Sequence, residues 1–288
     1  MTFLRHLRVK RTPFDTPFDT AAELSIAAKL RNLNALSRFL RPRVHIDCAL
    51  NRNATYQAHL REHSKSDAHM TTVSKLSDHP DWIYVLRESY DLYRSSSAGG
   101  SVKIRSHQRS VRERINRVIK SDAEVRFSES MSKPVVQHLR RALDNGKVER
   151  HAPFIRSLEA IKSTFSWQYG YEKVPRGLSQ KFAYAELVGP SGPVITDEVI
   201  LGLVLFAPKC TYPAHAHKGI SESYICLSGA VSENDQGVYA PGSLIYNPPE
   251  QLHRITVGDA NPALLFYAWE GSRANLNSQR MVFTRKPK

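Results

Sequence analysis

The stretch Tyr212-Pro-Ala-His215-Ala-His217-Lys-Gly-Ile-Ser-Glu222-Ser-Tyr224 is answered downstream by Pro248-Pro249-Glu250-Gln-Leu-His253. Side chains alternate across an extended strand, so His215 and His217 share one face and, beyond a turn, Glu222 and Tyr224 can face the same cavity. Ligands carried by a helix would instead recur at i, i+4. Imidazole and carboxylate together suit first-row metals, and the spacing does not choose among Zn, Fe, Mn, Co and Ni.

The flanks sharpen this reading. Gly229 stands where a strand must turn, and Ala240-Pro241-Gly242 precedes the strand leading to His253. The pattern HxH(x4)E(x6)G, followed by a Pro/Gly-punctuated His, is the two-part signature of a cupin. It predicts one divalent metal on His215, His217, Glu222 and His253. The expected fold is mainly β, a cupin of antiparallel jelly-roll form with an α-helical N-terminal cap.

Composition bounds the rest. The chain has 288 residues, 41% of them hydrophobic, enough for a real core. No run of eighteen apolar residues occurs, and Phe3-Leu4 is followed at once by basic residues, so neither a membrane span nor a secretion signal is expected. Cys48, Cys210 and Cys226 are odd in number and irregularly spaced, which fits reduced thiols and a cytoplasmic protein. The net charge of +14 invites a nucleic-acid partner. No helix-turn-helix, zinc-finger or RNP-like pattern supports one, and a solvated basic surface or a field drawing in anionic groups accounts for the charge. A homodimer stays open.

Along the chain, residues 1–69 carry twelve Lys and Arg against six Asp and Glu. They hold one persuasive helix, Ala21 to about Leu40, and read as a basic extension, with Met70 a natural start. Residues 70–166 read as the helical cap. A first helix runs from Pro80 to the Ser95-Ser-Ser-Ala-Gly-Gly turn, and a second from Val102 to Ile119, with His107 a surface or capping residue. Two more begin near Pro134 and Pro153. Residues 167–288 read as the barrel. Gly189-Pro-Ser-Gly-Pro193 is expected as a hairpin loop, Val199–Phe206 as a buried strand, and further strands at Tyr224–Leu227, Gly237–Tyr239, Ser243–Tyr246, His253–Val257 and Leu264–Trp269.

Two tyrosines stand out. Tyr212 lies three residues before the first ligand and Tyr224 two after Glu222, and a phenol near a divalent cation ionises more readily and can then abstract a weakly acidic proton. This Tyr-Pro-x-His-x-His…Glu-x-Tyr…His pattern, with Gly202-Leu-Val-Leu-Phe-Ala-Pro208 before it and Tyr184-Ala-Glu-Leu-Val-Gly-Pro190 further upstream, resembles the bacterial cupin-type dimethylsulfoniopropionate lyases, closest to their DddL-like branch. The resemblance spans about residues 80–272. It departs at Lys218-Gly219 and Ser221. It implies a small zwitterionic substrate, cleaved to acrylate and dimethyl sulfide, with Tyr224 or Tyr212 as base. Aromatic faces suit the sulfonium, so Trp167, Tyr171, Tyr184, Tyr267 and Trp269 are cation–π candidates. Another metallocupin enzyme, such as an oxygenase or isomerase, and a non-catalytic ligand-binding cupin are the alternatives.

Because the helices of the cap and every candidate ligand lie beyond residue 69, a chain beginning at Met70 is expected to keep its fold and metal content. Soluble yield and metal analysis of the truncated protein check this; loss of either would place residues 1–69 inside the domain.

Overall fold

A computed structural model of the chain describes residues 73–170, 174–279 and 281–283. The basic extension and Tyr171 lie outside the described residues. Helix α1 spans Pro80–Ser95 and opens on a proline whose missing N–H costs nothing in the first turn. Its buried stripe of Trp82, Val85, Leu86, Leu92 and Tyr93 follows the apolar period. Helix α2, Val102–Lys120, is capped by the Ser101 side chain, which accepts from Ile104 N at 3.3 Å. The region from Pro134 begins as a 3-10 turn, Pro134–His138, and becomes helix α3 only over Leu139–Gly146. Helix α4 covers Ala152–Ile161 and is extended by another 3-10 turn, Lys162–Thr164.

Ten strands follow: β1 Phe182–Gly189, β2 Val194–Ile195, β3 Ile200–Phe206, β4 Thr211–His217, β5 Ile220–Ser228, β6 Val231–Glu233, β7 Leu244–Asn247, β8 His253–Val257, β9 Ala263–Gly271 and β10 Met281–Phe283. They form a six-stranded sheet, β2-β1-β3-β9-β5-β7, and a four-stranded sheet, β10-β4-β8-β6. Within them the pairing is antiparallel except for β1 with β2. This is the jelly-roll of a cupin, with two separate sheets in place of one continuous cylinder. One face of the larger sheet packs on the helical cap through Ile225, Leu227, Leu264, Phe266 and Ala268, and the other looks into the barrel through Tyr224, Cys226, Leu265 and Tyr267. With both faces covered, all seven residues of β3 are buried, as its unbroken apolar run foretells. No helix among the described residues is long and apolar enough to cross a membrane.

Three expectations need correction. Gly189–Pro193 does not close a hairpin, because β2 returns parallel to β1, with Val188 opposite Val194. Gly237–Tyr239 is no strand: Tyr239 makes a single bridge to Val231, and the strand in this region is β6, whose three residues pair with β8. His107 is not a surface residue but 4% exposed, turned toward the sheet.

Gly202 on β3 is a close-approach position. A Cβ there would meet Tyr267 ring carbons at 2.6 Å and the Ala185 carbonyl oxygen. Gly202→Ala is therefore expected to destabilise the fold by about 1–3 kcal/mol through overpacking. A lowered urea midpoint at unchanged slope checks this.

Candidate metal centre

Strands from both sheets bring four buried side chains to one point. His215 and His217 come from β4, His253 from β8 and Glu222 from β5, and one ligand atom of each lies within 4.8 Å of the others. His215 and His253 pair directly across β4 and β8, which unites the two halves of the motif. Between the first two ligands and the third runs the turn at Lys218-Gly219. Gly219 adopts φ +65°, a Cβ there would strike the Asn275 amide, and its N–H donates to Glu250 Oε1 at 2.9 Å. That turn explains the Lys-Gly step where a ligand run alone would not call for one.

Backbone carbonyls set the imidazoles. Nδ1 of His215 lies 3.0 Å from the Pro213 carbonyl, and Nδ1 of His253 lies 3.0 Å from that of Gln251. A carbonyl only accepts, so each Nδ1 must carry its proton, which leaves each Nε2 with a lone pair. The Glu222 carboxylate is divided in the same way. Oε1 accepts from the Trp269 indole N–H at 2.7 Å, while Oε2 lies 2.9 Å from His253 Nε2 and 3.5 Å from His217 Nε2. Neither approach has the direction of a hydrogen bond. His217 Nδ1 and Nε2, Glu222 Oε2 and His253 Nε2 are all buried without a hydrogen-bond partner among the described residues. Buried polar atoms are costly when unsatisfied, and a cation among them would satisfy them together. The residues present fit a metal ion.

The charges agree. Burial, reinforced by the neighbouring His253, lowers His215 to about 3, so it is in the neutral form that ligates a metal. Burial opposes ionisation of Glu222, but His217 and His253 outweigh it and hold the carboxyl well below its usual range. Burial alone would lower His253, and Glu222 reverses this and raises it.

The cluster lies against an aromatic cavity, which His215 and Glu222 help to line. Tyr212, Tyr224, Tyr184, Tyr267 and Trp269 all line it. The Tyr212 ring meets that of His215 edge-on at 4.8 Å, and the Tyr224 ring lies 6.2 Å from that of His253. Burial, then the Glu222 charge, pushes the Tyr224 phenol well above its ordinary value. Trp167 stands apart, buried in the core beneath the helices with its ring 6.0 Å from that of Phe165. The sequence reading missed Phe182 and Phe206, which pack around Tyr212 at 4.4 and 5.8 Å, and the pair formed by Asn247 and Glu233 at 2.9 Å. It also missed that the Trp269 indole orients the Glu222 carboxylate, because that contact depends on β5 pairing with β9 in the register that sets Glu222 opposite Trp269.

Residues 106–265 match the family profile described as dimethylsulfoniopropionate lyase. A protein of Cereibacter sphaeroides, provisionally named dimethylsulfoniopropionate lyase DddL, is 49% identical over 207 residues, 72% of this chain and 89% of the relative. The chain belongs to the dimethylsulfoniopropionate lyase family. Solved structures agree on the fold. One described as DMSP lyases RdDddP and RnDddQII aligns with a TM-score of 0.54 at 19% identity, over 72% of this chain and 98% of that one. The DMSP lyase DddQ of Ruegeria pomeroyi aligns with a TM-score of 0.54 at 17% identity, over 72% and 97%. Family membership makes the chain one of a group of lyases.

Trp269→Phe keeps a ring but loses the donor that aims Glu222. It is expected to weaken metal affinity by about 10-fold or more, as loss of a ligand-orienting hydrogen bond typically does. Competition against a chromophoric chelator checks this. In the same titration affinity should fall as pH is lowered, because a proton on His253 competes with the ion and Glu222 keeps it there to higher pH.

Proposed function

We propose that this protein is a metal-dependent carbon–sulfur lyase that cleaves dimethylsulfoniopropionate to acrylate and dimethyl sulfide, with Tyr224 as the base that starts a β-elimination. The observation that carries this reading is the meeting of two buried phenols with the His215, His217, Glu222 and His253 cluster in one aromatic cavity, in a member of this family. Those four residues would hold one divalent transition metal, Zn, Fe, Mn, Co or Ni. Bound there, the ion supplies positive charge that polarises the substrate carboxylate and favours the Tyr224 phenolate.

The remaining work falls to the chain. The faces of Tyr184, Tyr267 and Trp269 attract the sulfonium and place the substrate with its carboxylate toward the ligands. Tyr224 takes the proton α to the carboxylate. The electron pair of that C–H bond becomes the new double bond, and the β C–S bond breaks with its pair moving to sulfur. The products are acrylate and neutral dimethyl sulfide, with the abstracted proton left on Tyr224 for return to solvent. Tyr212, held edge-on to His215, orients the substrate in this scheme. The partner is a small zwitterion in the cytoplasm, with no nucleic acid or membrane needed.

Tyr224→Phe preserves the ring and its packing but has no ionisable oxygen. It should retain metal and lose turnover by ~100-fold or more, the usual cost of removing a proton-transfer group. Tyr212→Phe should mainly raise KM. Headspace gas chromatography of dimethyl sulfide distinguishes these outcomes, and wild-type rates in both variants would contradict a phenolate base.

A further inference from the structure

Behind the candidate metal centre, between the large sheet and the cap, lies a chain of buried and half-buried polar groups that the proposed reaction does not use. Ser223 Oγ is 2.7 Å from the Tyr93 hydroxyl on α1 and 2.8 Å from His107 Nε2 on α2. His107 Nδ1 faces Glu270 Oε2 on β9 at 3.0 Å, and Ser110 Oγ donates to Glu270 Oε1 at 2.7 Å. Burial opposes ionisation of Glu270, but His107 and Ser110 outweigh it and hold the carboxyl below its usual value.

Serine, histidine and carboxylate in this order have the arrangement of an acyl-transfer triad. A nucleophile, however, must be reachable. Ser223 is fully buried, its oxygen is already bonded to Tyr93 and His107, and none of the described cavities includes it. The neighbouring contacts between sheet and cap are apolar, made by Ile225, Leu227, Phe266 and Ala268, so packing alone would accept alanine at 223. What the hydrogen bonds from Ser223 to Tyr93 and His107, and from Ser110 to Glu270, add is direction, because each fixes an angle as well as a distance, whereas His107 Nδ1 meets Glu270 as a close charge contact.

Its place on the strands shows what that direction controls. Ser223 sits between Glu222 and Tyr224, and Glu270 directly follows Trp269. Side chains alternate, so the residues tied to the helices are the immediate neighbours of those that face the cavity. We infer that Tyr93, His107 and Glu270 are positioning residues for the metal centre, pinning β5 and β9 to the cap so that Glu222, Tyr224 and Trp269 are held in working register. The helical cap is then part of the site's alignment, and its activity consequence rests on the lyase reading.

Tyr93→Phe and Ser223→Ala each delete one hydroxyl and leave the ligands, Tyr224 and the cavity lining in place. Cobalt(II) titration of the purified full chain reads the metal centre without reference to turnover, and dimethyl sulfide release reads kcat and KM. Expected are a roughly 10-fold loss of cobalt affinity with a changed visible spectrum, as for other groups that orient ligands, and a kcat lowered ~10-fold or more at nearly constant KM, as misalignment produces. Should Ser223→Ala fail to fold, Tyr93→Phe decides the matter. Wild-type cobalt affinity, spectrum and kcat in these variants, even with a lowered melting temperature, would overturn the inference and leave the chain a structural feature. If the wild-type protein releases no dimethyl sulfide, the lyase reading fails, and the cobalt measurement still decides this one.

Discussion

One buried carboxylate organises this molecule. Glu222 is 1% exposed, and a carboxylate so placed must find compensation for the water it has lost. One oxygen takes the Trp269 indole N–H, and the other stands among imidazoles that offer no directed hydrogen bond. The architecture follows from keeping this arrangement in being. It needs β5 beside β9 in one register, two histidines supplied by β4 and a third by β8 of the opposite sheet. A one-residue slip of β5 would turn Glu222 and Tyr224 toward the helices and Ser223 into the cavity.

The cap matters for the same reason. A two-sheet barrel with one broad apolar face exposed to water would be poorly stable, and α1, α3 and α4 cover that face with Tyr93, Leu143 and Phe154. Phe154 meets Phe266 edge-on at 4.8 Å, and Tyr93 meets the same ring at 6.2 Å. Hydrophobic packing tolerates small shifts, whereas a ligand set held to within a fraction of an ångström does not. The polar chain through Ser223, His107 and Glu270 lies where apolar packing gives way to that demand.

Much of this was legible in the residues themselves. Alternation placed His215, His217, Glu222 and Tyr224 on one face, and the Gly and Pro punctuation joined them to His253; the structure brings the His215, His217, Glu222 and His253 side chains together. The apolar periods of α1 and β3 were equally readable, because burial on one stripe or on both faces leaves its mark in the chain. What escaped depended on pairing between distant segments. Trp269 looked like an aromatic wall, and only its position opposite Glu222 makes it a donor. His107 looked like part of a basic outer face because its period places it near the edge of the apolar stripe, and its partners lie more than a hundred residues away. Gly237–Tyr239 carries strand-like residues, but its only pairing among the described residues is the single bridge at Tyr239, so local preference had nothing to propagate along.

The central claim is that the His215, His217, Glu222 and His253 cluster holds a metal on which lyase activity depends. Its most direct test is dimethyl sulfide release from dimethylsulfoniopropionate by the full-length protein after removal of metal with a chelator, and again after reloading with each divalent ion in turn. The account predicts no release from the stripped protein and recovery with at least one of Zn, Fe, Mn, Co or Ni. Undiminished release from stripped protein, or none from protein reloaded to one ion per chain with every one of them, would contradict it.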